Sequence, residues 1–157
     1  RVPLIMAGAG ISARGKVCLS TVEHLDVYPT IANLCELNSI PSNLHGESMV
    51  PLLHDIRAPW SKPAISQVQR PGNKEQPMIN GYSIRDGRFR YTSWNEGREG
   101  EELYDYQIDP RGVHNVIHDP VMTPITHRLR VALHTTTLAR GRVPLLPTNL
   151  KPEANPN

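Results

Sequence analysis

The sequence predicts an α/β chain in two parts, the second of which has a smaller α+β organisation. Three observations lead to this class. A continuous apolar run at residues 2–7 is typical of a strand covered on both faces. Apolar residues recur at three- and four-residue steps between residues 22 and 37, which predicts a helix. Two β-favouring runs on either side of Asp86-Gly87 predict an antiparallel hairpin over residues 79–94.

Composition excludes several classes of protein. The 157 residues include 17 Lys and Arg against 15 Asp and Glu, a net charge of +2 with histidine neutral. Such a balance argues against a dedicated nucleic-acid or anionic-membrane binder, in which basic residues dominate one stretch. No apolar run approaches the roughly 18 residues of a membrane-spanning helix. The 15 prolines and 11 glycines predict a folded, loop-rich chain, and two cysteines cannot form a disulfide framework.

In the first part, the helical period indicates where the helix begins. Pro29 fits a helix only in its first turn, where its missing N–H has no partner to lose. Asp26 is therefore the predicted N-cap, its carboxylate accepting from backbone N–H groups of that turn. After the second part's strands, residues 123–140 predict another helix, which Thr123 caps and in which Pro124 takes the first position.

The hairpin carries the most informative chemical feature. Pairing outward from a two-residue turn at Asp86-Gly87 sets Arg85 opposite Arg88 and Ile84 opposite Phe89. One face is then a predicted core face, made of Tyr82, Ile84, Phe89 and Tyr91. The other face carries Arg85, Arg88 and Arg90. Two explanations of these arginines stay open. They could pair with Glu99, Glu101, Glu102 or Asp105, or they could bind a sulfate, phosphate or carboxylate group.

Several motifs in order resemble the sulfatase family of the alkaline phosphatase superfamily. Asp26-x-x-Pro29-Thr30 resembles the family's helix start, and residues 44–53 resemble its L-x-G-x-S-x-x-P-L-L turn. Residues 102–105, followed by Asp109-Pro110 and Asn115, resemble its closing E-L-Y-D strand. Residues 81–85 and 90–94 resemble the iduronate-2-sulfatase-like group of the family in particular.

This resemblance implies a sulfuric-ester hydrolase that acts on a sulfated sugar. In that family a cysteine of a C-x-P-x-R motif is oxidised to formylglycine, and a calcium ion stabilises charge on the transferring group. Neither Cys18 nor Cys35 lies in such a motif, so the resemblance places the catalytic centre outside this sequence. It also suggests a periplasmic, secreted or lysosomal location.

We therefore expect this sequence to be the C-terminal portion of a sulfatase. Its expected partners are the missing N-terminal sulfatase domain and a sulfated saccharide substrate. Residues 1–57 would end the large α/β domain, residues 58–140 would form the antiparallel-sheet subdomain with its helix, and residues 141–157 would be a flexible tail. The candidate substrate-binding residues are Arg85 first, then Tyr82, Arg88 and His45. Two alternatives remain: a phosphate or phosphonate ester hydrolase of the same superfamily, and a non-catalytic glycan-binding remnant.

Overall fold

Two compact units make up the chain, Arg1–Ala64 and Ile65–Asn157, and each is described here by itself. The computed structural model describes residues 2–75 and 78–141. The predicted tail therefore lies outside the described residues, apart from Gly141, and the predicted domain boundary after residue 57 stays a prediction. The helices and strands, in chain order, are α1 (Val27–Leu34), α2 (Val50–His54), β1 (Ala64–Pro71), β2 (Met78–Arg85), β3 (Phe89–Trp94), β4 (Glu101–Asp105) and α3 (Thr123–Ala139).

The predicted strand at residues 2–7 is wrong for this structure. The segment is irregular and largely exposed, with Ile5 88% accessible. A strand needs a neighbour to accept and donate its backbone hydrogen bonds. The described residues of the first unit form no strand beside this segment, so its backbone has no partner strand there.

Helix α1 begins directly after Asp26, as predicted, but the Asp26 side chain does not cap it. The helix ends earlier than its apolar pattern suggests, because Glu36 adopts a left-handed conformation with φ of 51°. The backbone N–H groups of Glu36 and Leu37 donate back to the carbonyls of Asn33 and Ala32, at 3.2 and 3.0 Å. This is a Schellman ending, in which glutamate stands at the position that glycine usually takes.

The Asp26-x-x-Pro29-Thr30 motif holds the segment that leads into α2. One oxygen of the buried Asp26 carboxylate accepts from the Glu47 backbone N–H at 2.8 Å, and the other accepts from the Glu23 N–H at 2.8 Å. The Thr30 hydroxyl accepts from the Met49 N–H at 2.8 Å. Polar side chains of the motif thus satisfy buried backbone groups that have no helix or sheet partner.

A four-stranded sheet in the order β1-β2-β3-β4 forms the second unit, with β3 antiparallel to both of its neighbours. The predicted opposition of Arg85 and Arg88 is wrong, because Arg85 lies opposite Arg90. The turn is centred one residue later than predicted, and the Asp86 N–H donates to the Phe89 carbonyl at 3.2 Å. Gly87 takes the left-handed conformation there, with φ of 89°.

The register differs from the prediction by two residues, which leaves the side chains of the two strands on their predicted faces. The prediction is wrong for Arg88, which lies in the turn and pairs with Asp105 instead of lining the face of Arg85 and Arg90. The predicted core face is therefore confirmed, since Tyr82, Ile84, Phe89 and Tyr91 are all buried. Helix α3 packs against this face with Leu129 and Leu133. Its predicted cap is wrong: a 3₁₀ turn, Pro120–Met122, precedes the helix, and Asp119 caps that turn by accepting from the Val121 N–H.

Candidate functional site

The sheet face opposite α3 carries a row of side chains that we call the arginine–aromatic face. It consists of Arg70, Arg85, Arg90, Trp94, Tyr104 and Tyr106. The register places Arg85 beside Arg90 on β2 and β3, and Arg90 beside Tyr104 on β3 and β4. All three are partly exposed. Side chains two residues apart on a strand share a face, so strand pairing alone sets this arrangement.

Aromatic rings hold the two central arginines. The Arg85 guanidinium lies 3.9 Å from the centroid of the Tyr106 ring, and the Arg90 guanidinium lies 4.8 Å from that of Tyr104. Both distances are within the range of an attractive cation–π contact. Arg85 is further fixed by a hydrogen bond that it donates from Nη2 to the Gly87 carbonyl at 3.0 Å. Stacking orients the planar donors of both arginines without neutralising their charge.

Arg90 has an unsatisfied donor. Its Nε atom is buried and has no hydrogen-bond partner among the described residues. A guanidinium is always protonated and can only donate, so this N–H has lost water without gaining an acceptor. The position therefore favours an anionic acceptor close to Arg90.

The other end of the face is built around Trp94. The Arg70 guanidinium lies 4.2 Å from the Trp94 ring centroid, and Arg70 donates to the Glu99 carbonyl at 3.0 Å. The indole N–H of Trp94 donates to Glu102 at 2.8 Å, and the Tyr104 hydroxyl donates to the same carboxylate at 3.3 Å. Burial, together with the charge of Glu102, raises the pKa of Tyr104.

Arg88 does not lie on this face, and the ion-pairing alternative holds for it. Its Nε and Nη2 atoms donate to the two oxygens of Asp105, at 2.9 and 2.6 Å. The Asp105 carboxylate is fully buried at the end of β4, and its hydrogen bond with Arg88 lowers its pKa. This ion pair links the turn between β2 and β3 to the end of β4.

The remaining predicted site residues are placed elsewhere. Tyr82 is 8% exposed and packs in the core on the α3 side of the sheet, so we leave it out of the site. His45 is exposed in the irregular segment between α1 and α2, which belongs to the other unit. The structure thus brings Arg85 together with Arg90 and with Tyr104 and Tyr106. The tyrosines were missed, although the alternation in residues 102–106 sets them on one face.

The described residues do not offer a site for the cofactors that the family resemblance implies. No three His, Cys, Asp or Glu side chains of the described residues are grouped so as to hold a metal ion. Cys18 donates its thiol to the Ile56 carbonyl at 3.7 Å, and Cys35 is exposed on the last turn of α1. Neither has the sequence context from which formylglycine forms in that family. The site can bind and orient an anion, and we derive no chemical step from it.

None of the helices in the described ranges combines the length and apolar character that a bilayer span requires.

Comparison with known proteins gives consistent results. The family model described as N-sulphoglucosamine sulphohydrolase, C-terminal, matches residues 1–138. A Delta 4,5-hexuronate-2-O-sulfatase of Bacteroides thetaiotaomicron is 33% identical over 134 residues, which are 84% of this chain and 27% of that protein. Arylsulfatase K of Xenopus laevis is 28% identical over 120 residues, which are 73% of this chain and 22% of that protein.

A solved structure of a 2-O GAG sulfatase superposes with a TM-score of 0.71 at 27% identity, covering 86% of this chain and 29% of that one. The chain therefore spans about a quarter of the length of the curated relatives that it matches. The resemblance that the sequence motifs indicated is confirmed: this chain belongs to the sulfatases, in the N-sulphoglucosamine sulphohydrolase C-terminal family.

Proposed function

We propose that this chain serves as the C-terminal part of a sulfuric-ester hydrolase that acts on a sulfated sugar, and that its arginine–aromatic face binds an acidic group of that sugar. The single observation that carries the second statement is the stacked pair Arg85 and Arg90, beside the rings of Tyr106 and Tyr104. The 33% identity to a hexuronate 2-O-sulfatase supports the first.

The chemistry of the face suits this ligand. Guanidinium groups donate in a planar fork that matches the oxygens of a sulfate or carboxylate. Arg85 and Arg90 lie side by side with no carboxylate bonded to Arg90 among the described residues, so an anion between them would relieve their repulsion. The role of the face is recognition, and the chemistry belongs to a partner domain.

An apolar surface on the first unit supports a requirement for that partner, which would be a sulfatase N-terminal domain. Large apolar side chains are exposed along α1 and the irregular segments of this unit, among them Ile5, Leu19, Tyr28 and Ile31. Exposed apolar patches of this kind mark interaction surfaces. A calcium site and formylglycine would then be supplied by the partner.

The test is a binding titration followed by kinetics. The chain is titrated calorimetrically with a saccharide ending in a Δ4,5-hexuronate 2-O-sulfate, and the Arg85→Ala and Arg90→Ala variants are compared with Arg98→Ala. Arg98 is a matched control because it is an exposed arginine in the turn between β3 and β4, paired with Glu96. We expect each test variant to bind about tenfold more weakly, because it loses a charge-assisted hydrogen bond. We expect the control variant to bind as tightly as the unmodified chain.

Kinetics on the parent sulfatase then separates binding from chemistry. With Arg85→Ala we expect KM to rise and kcat to change little, because a group that binds ground state and transition state equally affects KM. An unchanged kcat/KM would remove Arg85 from the site. Faster turnover of a phosphate or phosphonate ester than of the sulfate ester would favour the alternative reaction class.

A further inference from the structure

A cleft of about 500 Å³ opens on the α3 side of the sheet, the side opposite the arginine–aromatic face. Its walls are the first turns of α3, the segment that precedes this helix, and the turn between β3 and β4. The polar lining consists of Glu101, His118, Thr123, Thr126, His127 and Arg130. A volume of this size is typical of sites for small organic ligands. The proposed function above makes no use of this cleft.

One wall of the cleft is a fixed ionic cluster. Arg130 donates from Nε and Nη2 to the two oxygens of Glu101, at 3.0 and 2.6 Å, and the Tyr91 hydroxyl donates to the same carboxylate. Burial by itself would raise the pKa of Glu101, but the hydrogen bonds from Arg130 and Tyr91 outweigh it and lower the pKa. The cluster therefore presents a charged carboxylate and a charged guanidinium, whose Nη1 is not used in these bonds.

Thr126 supplies an unsatisfied polar group in the same cleft. Its side chain is 7% exposed, and its Oγ1 has no hydrogen-bond partner among the described residues. Within a helix a threonine hydroxyl often donates to the carbonyl four residues earlier. Thr137 of the same helix does so, donating to the Leu133 carbonyl at 2.9 Å. The Thr126 hydroxyl has been removed from water without this compensation, which points to a ligand that bonds it.

We propose that this cleft binds a single acidic saccharide unit, at a site separate from the arginine–aromatic face. The lining mixes hydroxyl groups, a carboxylate that accepts and histidine rings, which suits the hydroxyl groups of a sugar because these donate as well as accept. The acidic group would lie at Arg130, where Nη1, which makes no hydrogen bond within the described part of the chain, and the rings of His118 and His127 supply donors. Ile117 contributes apolar area to the same cleft.

Backbone amide NMR on the full chain tests this proposal. The probes are glucuronate, glucosamine 6-sulfate and neutral glucose, which separate a carboxylate, a sulfate and an uncharged ring. We expect either acidic sugar to shift the amide signals of Thr126, His127 and Gly100, and glucose to bind at least tenfold more weakly. Thr126→Val, which keeps the side-chain shape, is expected to weaken acidic-sugar binding about tenfold.

Matched controls lie on the same helix. Thr135→Val and His134→Ala change exposed residues that do not line the cleft, and we expect neither to alter binding. His127→Ala should reduce the shifts of the cleft amides, whereas Arg85→Ala, which alters the face proposed above, should leave the shifts of these amides in place, and this difference separates the two sites. Equal binding of glucose and glucuronate would overturn the acidic specificity. Absence of shifts at the cleft with millimolar ligand, or unchanged binding by both Thr126→Val and His127→Ala, would overturn the site.

Discussion

The ring of Trp94 lies directly over Gly81, its partner across β2 and β3. A Cβ atom added at Gly81 would lie 2.6 Å from two carbons of this ring, closer than such atoms approach in folded proteins. The indole is held from the other directions too, by Arg70 stacked at 4.2 Å and by the hydrogen bond to Glu102. The absence of a side chain at residue 81 is therefore what lets the aromatic end of the proposed binding face form.

Gly81→Ala should destabilise the second unit and displace Trp94. We expect a loss of about 1–3 kcal/mol in the free energy of unfolding, the usual cost of adding a methyl group where there is no room. Urea unfolding followed by circular dichroism would measure the loss of stability, and the tryptophan fluorescence of the single variant would report the displacement of Trp94. The matched comparison is Gly81→Ala in a Trp94→Ala background, where the obstacle is gone and the cost should largely disappear. A cost that persists there would place the strain elsewhere.

Asp26→Ala should destabilise the first unit strongly. Its buried carboxylate accepts from the backbone N–H groups of Glu23 and Glu47 and forms an ion pair with Lys62. Removing it leaves a buried and a partly buried backbone donor and an ammonium without this acceptor, and we expect a loss of about 3–5 kcal/mol. Asp55→Ala is the control, because the exposed Asp55 side chain accepts, among the residues that the structure describes, only from the nearby Arg57 N–H at 2.9 Å. Comparable losses for both variants in chemical denaturation would refute the central role of Asp26.

The ion pair of Arg88 and Asp105 should make the free energy of unfolding depend on pH. Because the hydrogen bond from Arg88 lowers the pKa of Asp105 below the ordinary value of 3.8, the folded state binds this proton less readily than the unfolded state. The stabilisation is therefore fully present above pH 3.8 and is lost as the pH falls through the lower, folded-state pKa.

Arg88→Met should accordingly raise the pKa of Asp105 and flatten the acid limb of the stability curve. Carboxyl NMR titration of Asp105 and urea unfolding between neutral and acid pH would measure the two changes. Arg98→Met removes an exposed pair with Glu96 and serves as the comparison, for which we expect no change in Asp105. If the Asp105 titration is the same with and without Arg88, the pairing does not set its pKa.

Alternation along the sequence was enough to predict the face of each strand residue of the hairpin, because a register error of two residues does not move a side chain to the other face. Alternation failed for Arg88, because this residue lies in the turn. The register itself was not predictable, because Asp86-Gly87 and Gly87-Arg88 are both adjacent to β-favouring runs and only the structure shows which pair forms the turn. The strand predicted at residues 2–7 failed for a different reason. An apolar run shows that burial is favourable but carries no information about which chain provides the neighbouring strand.

The candidate site was only half predictable. Arg85 and Arg90 follow from alternation within the hairpin, whereas their contacts with Tyr106 and Tyr104 depend on the pairing of β3 with β4, which is not a local property. The same pairing explains Arg88: Phe89 lies opposite Asp105, so the turn residue next to it reaches that carboxylate. The cleft beside α3 left no signal in the sequence, because its lining comes from three separate segments.

Ile31→Glu should reduce the apolar surface of the first unit without unfolding it. Ile31 is 51% exposed on α1, near the exposed Tyr28, so a charge there is solvated and should change stability by less than about 0.5 kcal/mol. We expect weaker binding of a hydrophobic dye by the chain and weaker association with a co-expressed sulfatase N-terminal domain. Val131→Glu is the matched control, since Val131 is also 51% exposed but lies on α3. Loss of association with Val131→Glu, or its retention with Ile31→Glu, would show that the partner docks elsewhere.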